Sequence, residues 1–374
     1  MGRTKTIKDV DRLLPVTVVV VLTLLQCIAN IEVVVGAPTV PAMFVFGDSL
    51  VDHGNNNYLS SIARANYMPY GIDFNGWPTG RFSNGRTIID ILADKLGIPY
   101  IPAFADPTTR GSKLLGGVNY ASAAAGILDE TGQHYGQRFS LGTQVLNFQS
   151  TLDQLRNQMG NGRNLTQYLA KSIAVMVFGS NDYINNFLMP SMYPSSFNYS
   201  PEDFANLLLN HYTRQILALY SVGLRKFLLA GIGPLGCIPN QRASGQAPRG
   251  QCFQHANQIL GTFNVGLRAL VDQLNANHPG SIFVHANTYG AMGDILNNPA
   301  MYGFNTVDHG CCGVEGSGRI TCLLGSMPCP NRNQYVFWDA FHPTQAVNAI
   351  LAERLWMGPP ADSYPINMQQ MALI

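Results

Sequence analysis

The sequence predicts an α/β fold in which a parallel sheet carries helices on both faces. Short apolar runs of strand length alternate along the chain with longer segments whose apolar residues recur at helical spacing. This alternation is typical of parallel sheets joined by crossover helices. The chain has neither a repeat of fixed period nor a linker rich enough to divide it. We therefore expect one large domain over residues 37–374, although 374 residues would by length alone suggest about two domains.

Short and mainly apolar segments are predicted as the strands of this sheet. The first stands directly before Gly47, and the third ends at Gly179. A short apolar run that is bounded by a turn signal is typical of a buried parallel strand. The predicted strands are residues 42–46, 117–121, 173–178, 226–231 and 281–286.

Longer segments with helical periodicity are predicted as the covering helices. In the first of them, Ile88, Leu92 and Leu96 belong to one apolar stripe. Ser200 is suited to cap the third helix, and the first turn of that helix accommodates Pro201. The predicted helices are residues 87–96, 143–159, 201–220, 255–275 and 344–356.

Residues 1–36 are predicted to be a signal peptide that is removed. A basic start, which ends at Arg12, is followed by an uncharged run from Leu13 to Leu25. Such a run is too short to cross a bilayer comfortably, but it has the length of a signal-peptide core. Small residues near Ala29 and near Ala37 both offer cleavage sites, so the cleavage position stays open. The alternative is an uncleaved membrane anchor.

The composition excludes several classes of protein. The net charge is +1 and only 12% of the residues are charged, whereas nucleic-acid binding requires a clustered basic face. A hydrophobic content of 46% excludes a disordered chain. Outside the amino-terminal segment, no stretch is long enough to span a membrane. We therefore expect a globular protein without nucleic-acid or integral membrane partners, and its oligomeric state is open.

The cysteines and two sequons indicate an oxidising, extracellular compartment. Outside the predicted signal peptide the number of cysteines is even, which favours disulfides in a secreted chain. Cys237 and Cys252 are the preferred pair because they flank one loop, and the pairing of the others stays open. A zinc site is the alternative, but the Cys-x2-Cys spacing of structural zinc sites is missing. Asn164 and Asn198 open glycosylation sequons. The other cysteines are Cys311, Cys312, Cys322 and Cys329.

A glycine-rich segment, Gly231–Gly236, matches the dinucleotide-binding pattern G-x-G-x-x-G and follows a predicted strand. That pattern binds pyrophosphate only where it opens a helix. Pro234 and Pro239 lie on either side of Cys237, so no regular helix can follow. We therefore expect no nucleotide site, and no other cofactor and no metal is predicted.

Three residues indicate nucleophilic catalysis. Ser49 follows the first predicted strand, and functional groups of open α/β sheets stand just beyond the carboxyl ends of strands. Asp339 precedes His342 by one helical turn, a spacing that lets a carboxylate hold an imidazole. Because Ser, Asp and His occur in different chain orders on unrelated folds, these residues form a candidate triad. Each has a simpler alternative: a helix cap for Ser49 or Asp48, and a surface or metal role for the Asp-x-x-His pair.

Acyl transfer also needs N–H donors where negative charge develops. Strand ends offer three: the backbone N–H of Ser49, the turn of residues 122–126 and the side-chain amide of Asn181. The alternative role of Asn181 is a turn or a helix cap.

Several sequence blocks follow one another in an order that resembles a known family. Together they resemble the plant secreted branch of the GDSL esterase/lipase family, within the SGNH hydrolase superfamily, over residues 43–344. Further segments of the same branch are matched at residues 52–57, 80–85, 235–239 and 310–313. The blocks themselves are Gly47–Leu50, Gly117–Ser122, Gly179–Asp182 and Asp339–His342.

The resemblance implies a three-layer α/β/α sandwich around a flavodoxin-like, five-stranded parallel sheet. It also implies hydrolysis of carboxylic esters through an acyl-enzyme. In that reaction Ser49 is the nucleophile, His342 the base and Asp339 the carboxylate that orients the base.

The resemblance further implies an oxyanion hole made by Ser49, Asn181 and a backbone N–H of the second block. Ala123 stands where the family usually has glycine, and alanine keeps the N–H that would act there. Which N–H of residues 123–126 is presented stays open, and Gly126 is the less constrained candidate.

The expected protein is thus a secreted esterase or lipase of the cell wall or apoplast that acts on small or lipid esters without a cofactor. Two alternatives remain: an acyltransferase that uses the same acyl-enzyme, and a non-catalytic secreted glycoprotein. Residues 185–199 either line an acyl pocket or are ordinary surface covered by a glycan at Asn198.

Overall fold

The computed structural model describes residues 40–159, 162–248, 250–313 and 322–374. The predicted signal peptide lies outside the described residues. In the ranges that are described, no helix combines the length and the apolar character needed to cross a membrane.

The central sheet is built on four parallel strands whose bounds lie within one residue of the predicted ones. Each is short and almost entirely buried, as expected for strands with helices on both faces. In order across the sheet they are β1 (Met43–Gly47), β2 (Ile173–Val177), β3 (Lys226–Ala230) and β4 (Ile282–Ala286).

Three further strands were not predicted. β5 (Thr306–Gly310) and β6 (Tyr335–Phe337) form a separate parallel pair. β7 (Ser363–Tyr364) is antiparallel to β4 and forms the edge of the central sheet. Strands as short as β6 and β7 carry too few residues to show a pattern in the sequence.

The remaining predicted strand, residues 117–121, lies beside β1 without forming a regular ladder. Its backbone exchanges hydrogen bonds of 2.7 and 3.0 Å with Val45. The N–H of Ser122 continues this pattern by donating to β1 at 3.0 Å, whereas the N–H of Ala121 faces away from β1 and donates to the side chain of Asn119. With this segment included, the parallel strands follow the order 2-1-3-4-5 of flavodoxin-like sheets. The expected fold class is therefore confirmed, with β7 as an antiparallel addition.

The helices that were predicted start and end within two residues of the predicted bounds, and the helices Arg163–Lys171 and Thr288–Asn297 were missed. Ser200 caps the helix Pro201–Ser221 as expected, by accepting the N–H of Asp203. The longer helices are α1 (Ile88–Leu96), α2 (Leu141–Met159), α3 (Arg163–Lys171), α4 (Pro201–Ser221), α5 (Gln254–Asn277), α6 (Thr288–Asn297) and α7 (Gln345–Met357). Short helices lie at Ser180–Asp182, Tyr183–Phe187, Ser195–Asn198, Pro239–Arg242 and Met368–Leu373.

Alternate residues of each strand supply two cores, one on each face of the sheet. On β2, Met176 belongs to the core beneath α2, α4 and α5, whereas Val175 belongs to the core beneath α1 and α7. Phe148 of α2 packs its ring edge-on against Phe44, with 5.0 Å between the centroids. Full burial of one such ring stabilises the fold by about 1.5–3 kcal/mol. The molecule is therefore a three-layer α/β/α sandwich.

The cysteines of the described chain form disulfides. Cys237 is joined to Cys252, the pair that the sequence favours. The pairs that the sequence left open are Cys311–Cys329 and Cys312–Cys322. Because all six sulfurs are in disulfides, they are not available as the zinc thiolates of the alternative interpretation.

The two sequons lie on the surface. Asn164 is exposed in the first turn of α3, and Asn198 is exposed at the end of a short helix. Both asparagines can therefore be reached by a glycosylating enzyme, and their modification stays a prediction.

Candidate active site

The turn after β1 holds Ser49 at the carboxyl edge of the sheet. Its glycine is required by packing, since a Cβ on Gly47 would lie 2.5 Å from Val51 Cγ2. Gln144 of α2 fixes the same glycine from the other side: its Oε1 accepts the N–H of Gly47 at 2.9 Å, and its Nε2 donates to the carbonyl at 2.8 Å. Sequence reasoning missed Gln144, because a polar residue on a predicted helix face carries no local signal.

The loop between β6 and α7 carries the other two candidates. Oδ1 of Asp339 accepts the backbone N–H groups of Phe341 and His342, each at 2.8 Å, which closes a tight turn. Thr344 then caps α7. The turn is anchored to the disulfide-linked segment, since Cys312 N–H donates to the carbonyl of Trp338 at 2.7 Å.

The structure brings Ser49, His342 and Asp339 into one hydrogen-bonded chain. Nε2 of His342 lies 2.7 Å from Oγ of Ser49, and Nδ1 lies 2.8 Å from both carboxylate oxygens of Asp339. Because a carboxylate only accepts, Nδ1 carries the proton and Nε2 is left to accept the serine hydroxyl. This arrangement suits a serine nucleophile with an imidazole base.

Tyr70 is a further partner of this chain that the sequence did not reveal. Its hydroxyl donates to Oδ2 of Asp339 at 2.6 Å. Burial opposes ionisation of Asp339, but His342 and the hydrogen bonds from Tyr70 and Phe341 outweigh it and hold the pKa of this carboxyl below its ordinary value. Burial, reinforced by the carboxylate, raises the pKa of Tyr70 well above its ordinary value. Asp339 is therefore ionised and Tyr70 is a permanent donor at neutral pH.

Asn181 lies at the end of β2 and lines the same cavity as Ser49. Its Nδ2 donates to the carbonyl of Ala125 at 2.9 Å, and its Oδ1 accepts from Nδ2 of Asn185 at 2.6 Å. These two bonds fix the orientation of the amide and leave one N–H of Asn181 for the cavity. Gly179 lets the chain turn here with φ of 109°.

The oxyanion-hole candidates Ala123 and Gly126 have different surroundings. The N–H of Ala123 donates to Asp52 and Asn56, at 3.1 Å in each case. Gly126 packs elsewhere: a Cβ there would lie 2.4 Å from Thr131 Cγ2. The N–H of Ala123 is therefore already engaged, and Gly126 is not among the residues that line the cavity at Ser49.

Ala124 lies between them and belongs to the range 123–126 over which the sequence left the donor open. It lines the cavity together with Ser49, and its φ of 65° is unusual for a residue with a side chain. Among the described residues, no hydrogen-bond acceptor is found for its N–H. The sequence could not distinguish these alanines, because their difference lies in the backbone conformation.

The polar loop after Ser49 is a buried scaffold for the second block. Oδ1 of Asp52 accepts the N–H of Asn55 at 2.7 Å, and Nδ2 of Asn55 donates to the carbonyl of Ala121 at 2.7 Å. Oδ1 of Asn56 accepts the hydroxyl of Ser122 at 2.6 Å. The loop thus holds the turn that precedes Ala124. The sequence marked these residues only through the family resemblance.

Two other buried carboxyls lie near the site. Asp182 accepts N–H groups from Ile127 and Leu128, at 2.8 and 3.1 Å, and so ties the end of β2 to the second block. Burial raises the pKa of Asp182 to about 6 against these bonds. Burial also raises the pKa of Asp48 to about 7, although the N–H of Leu50 donates to it at 3.0 Å.

The glycine-rich segment Gly231–Gly236 does not open a regular helix, because only a helix of four residues, Pro239–Arg242, follows it. Within the described ranges, no group of three or more His, Cys, Asp or Glu side chains is placed to hold a metal ion. Of residues 185–199, Asn185 lines the cavity, whereas Met192 and Phe197 are exposed.

Known proteins are similar to this chain over most of its length. Residues 43–355 match the family described as GDSL-like lipase/acylhydrolase. The chain is 63% identical over 344 residues to GDSL esterase/lipase At1g71250 of Arabidopsis thaliana, covering 92% of both chains. It is 54% identical over 337 residues to GDSL esterase/lipase At5g08460 of that plant, covering 89% of this chain and 87% of the relative. It is 50% identical over 339 residues to GDSL esterase/lipase 7, covering 90% and 93%.

Proposed function

The chain belongs to the GDSL-like lipase/acylhydrolase family and is a carboxylic ester hydrolase, and from this premise we propose that Ser49, His342 and Asp339 are its catalytic triad. The observation that carries the proposal is the hydrogen-bonded chain from Oγ of Ser49 through the imidazole to the buried carboxylate.

Acylation begins when Oγ of Ser49 attacks the ester carbonyl and Nε2 of His342 takes the hydroxyl proton. The imidazolium that forms is stabilised by the ionised carboxylate of Asp339. The same Nε2 then returns the proton to the leaving alcohol as the carbon–oxygen bond breaks. Water attacks the acyl-enzyme in the second half of the reaction, with His342 as base again.

The negative charge on the carbonyl oxygen is met by three N–H donors: the backbone of Ser49, the backbone of Ala124 and the side chain of Asn181. All three residues line one cavity. Such donors lower the barrier because they are already oriented before the charge appears.

Secretion is part of the same proposal. It is supported by the disulfides, by the exposed sequon residues Asn164 and Asn198, and by the amino-terminal signal pattern. The mature amino terminus of protein recovered from the medium of an expressing plant cell culture should begin near residue 30 or residue 37. An intact Met1 on the exported protein would contradict this proposal.

A serine variant tests the catalytic assignment. We expect Ser49→Ala to lower kcat for p-nitrophenyl butyrate by about 10⁴-fold or more, as removal of a triad member does in other serine hydrolases. A fluorophosphonate probe should label Ser49 in the unaltered protein and leave the variant unlabelled. Ser150→Ala, which changes an exposed serine on α2, is the matched control and should keep full activity. Full activity of Ser49→Ala would refute the assignment.

A further inference from the structure

The cavity that opens at Ser49 continues into the core below the sheet. It has a volume of about 320 Å³, which lies within the range of small-molecule sites. Its inner walls come from β2 and β3 above and from α1 and α7 below. Aliphatic residues of these inner walls include Val175, Val177, Leu228, Leu92, Leu351 and Leu355.

The cavity reaches past the carboxyl end of the sheet, since Val175 of β2 and Leu228 of β3 line it in addition to Val177. β2 has a strand on each side and helices over both faces, so its side chains should all be buried. The first four residues of β2 are buried, but Val177, the last, is only partly so. On the opposite wall, Leu351 and Leu355 are likewise only partly buried. These aliphatic groups border the cavity and are not fully enclosed by the core around them.

The inner part offers an alkyl group apolar contacts and few polar ones. Asn348, a polar residue of the wall, already donates to the backbone carbonyl of Arg86 at 3.0 Å. The outer part differs, because Arg64, Tyr67 and Asn185 line it with polar groups. A polar alcohol is therefore better solvated at the outer end, and an alkyl chain is better placed at the inner end.

We propose that the inner part of this cavity holds the alkyl chain of the acyl group, so that the preferred substrates are esters of fatty acids with medium or long chains. The inference rests on the proposed function, since the acyl carbon must reach Ser49. It assigns the acyl chain to the space between the sheet and α7, and it leaves the alcohol at the polar mouth.

Chain length should control the rate until the cavity is filled. Burial of one methylene group in an apolar site raises kcat/KM by about fourfold, because about 0.8 kcal/mol of transfer free energy is gained. We expect this increase along p-nitrophenyl acetate, butyrate, octanoate and laurate, each assayed below its micelle concentration. A matched series of alkyl acetates of rising length, which lengthens the alcohol instead, should show a much weaker dependence.

Two blocking variants test the position of the chain. Leu351→Trp fills the cavity and should lower kcat/KM for laurate by about tenfold or more, while the value for acetate changes by less than about threefold. Leu355 lies one helical turn further from His342, about 5.4–6 Å along α7. Leu355→Trp should therefore leave kcat/KM for the octanoate ester unchanged and lower it only for longer esters. If Leu351→Trp does not fold, Leu355→Trp takes its place in the test. Leu217→Trp, at a partly buried leucine of α4 that is not among the residues lining the cavity, is the control and should keep the wild-type profile.

The outcomes separate this inference from the proposed function. Hydrolysis that requires Ser49 but is independent of acyl length would overturn the cavity assignment and leave the esterase intact. A length dependence confined to the alkyl acetates would overturn it as well, by assigning the cavity to the alcohol. Loss of the long-chain preference in Leu217→Trp would also count against it. If no ester hydrolysis that depends on Ser49 were found, both proposals would be refuted together.

Discussion

Substitution of Asn181 by alanine gives the sharpest test of the oxyanion hole. The amide is held by Ala125 and Asn185 at 2.9 and 2.6 Å, so one N–H is pre-oriented toward the cavity. Loss of one such donor costs about 2.7–4 kcal/mol of transition-state stabilisation, which lowers kcat by about 10²–10³-fold. Because the donor acts on charge that develops only in the transition state, KM should change little.

The assay is steady-state hydrolysis of p-nitrophenyl butyrate, from which kcat and KM are obtained separately. Asn186→Ala is the matched control. Asn186 is fully buried in the same helical segment and makes two comparable side-chain bonds, to Thr131 at 3.0 Å and to Ser195 at 2.6 Å. Its loss should reduce stability but not the kcat of the folded protein.

A third variant examines the support of the donor. Asn185→Ala removes the bond that orients the amide of Asn181 and should lower kcat by an intermediate factor of about tenfold. The reasoning would be refuted if Asn181→Ala lowered kcat by less than about fivefold. It would also be refuted if that variant raised KM at constant kcat, which is the signature of lost ground-state binding.

The remaining predictions concern stability. The pKa of Asp48 rises from 3.8 to about 7 on folding, so the folded protein keeps a proton that the unfolded chain has lost between these pH values, and stability falls as the pH rises. The Asp48→Asn variant lacks this loss. The difference between its urea midpoint and that of the wild type should therefore grow from pH 4 to pH 7, by an equivalent of up to about 4 kcal/mol in the free energy of unfolding. A difference that does not depend on pH would contradict the argument from burial. Ala124→Gly should raise the melting temperature, by an equivalent of about 0.5–1 kcal/mol, because glycine adopts φ of 65° without strain, and it should keep kcat because the N–H remains; a large loss of kcat would argue against a backbone donor. Replacement of both Cys237 and Cys252 by alanine opens a loop of 15 residues and should cost about 3 kcal/mol in denaturant unfolding; no change would show that the loop is constrained by other contacts.

Periodicity in the sequence predicted the elements that form the layers. β2 and α4 were predicted within one residue because each carries a complete apolar pattern with its own end signals. Residues 117–121 were predicted as a full strand, because an apolar run does not reveal that the segment will pair with β1 as an isolated bridge. β7 was missed because two residues carry no period.

The residues of the candidate active site likewise divide into those that the sequence indicated and those that it did not. Ser49 and the Asp339–His342 pair were recognisable from residue type and from position after a strand or before a helix. Tyr70 and Gln144 were not, because they act only through contacts made at large separation along the chain, 269 residues in the case of Tyr70 and Asp339.

The sequence by itself therefore determined the four parallel strands of the central sheet, five of the helices that cover it, and which side chains can act as nucleophile, base and carboxylate. These properties depend on neighbouring residues and on local period. Only the tertiary structure decided that the imidazole of His342 lies 2.7 Å from Ser49, that within the described residues an acceptor is found for the N–H of Ala123 but not for that of Ala124, and that a cavity continues beneath β2. The physical reason is that these features depend on how distant segments pack against one another and on which internal acceptors take up each N–H.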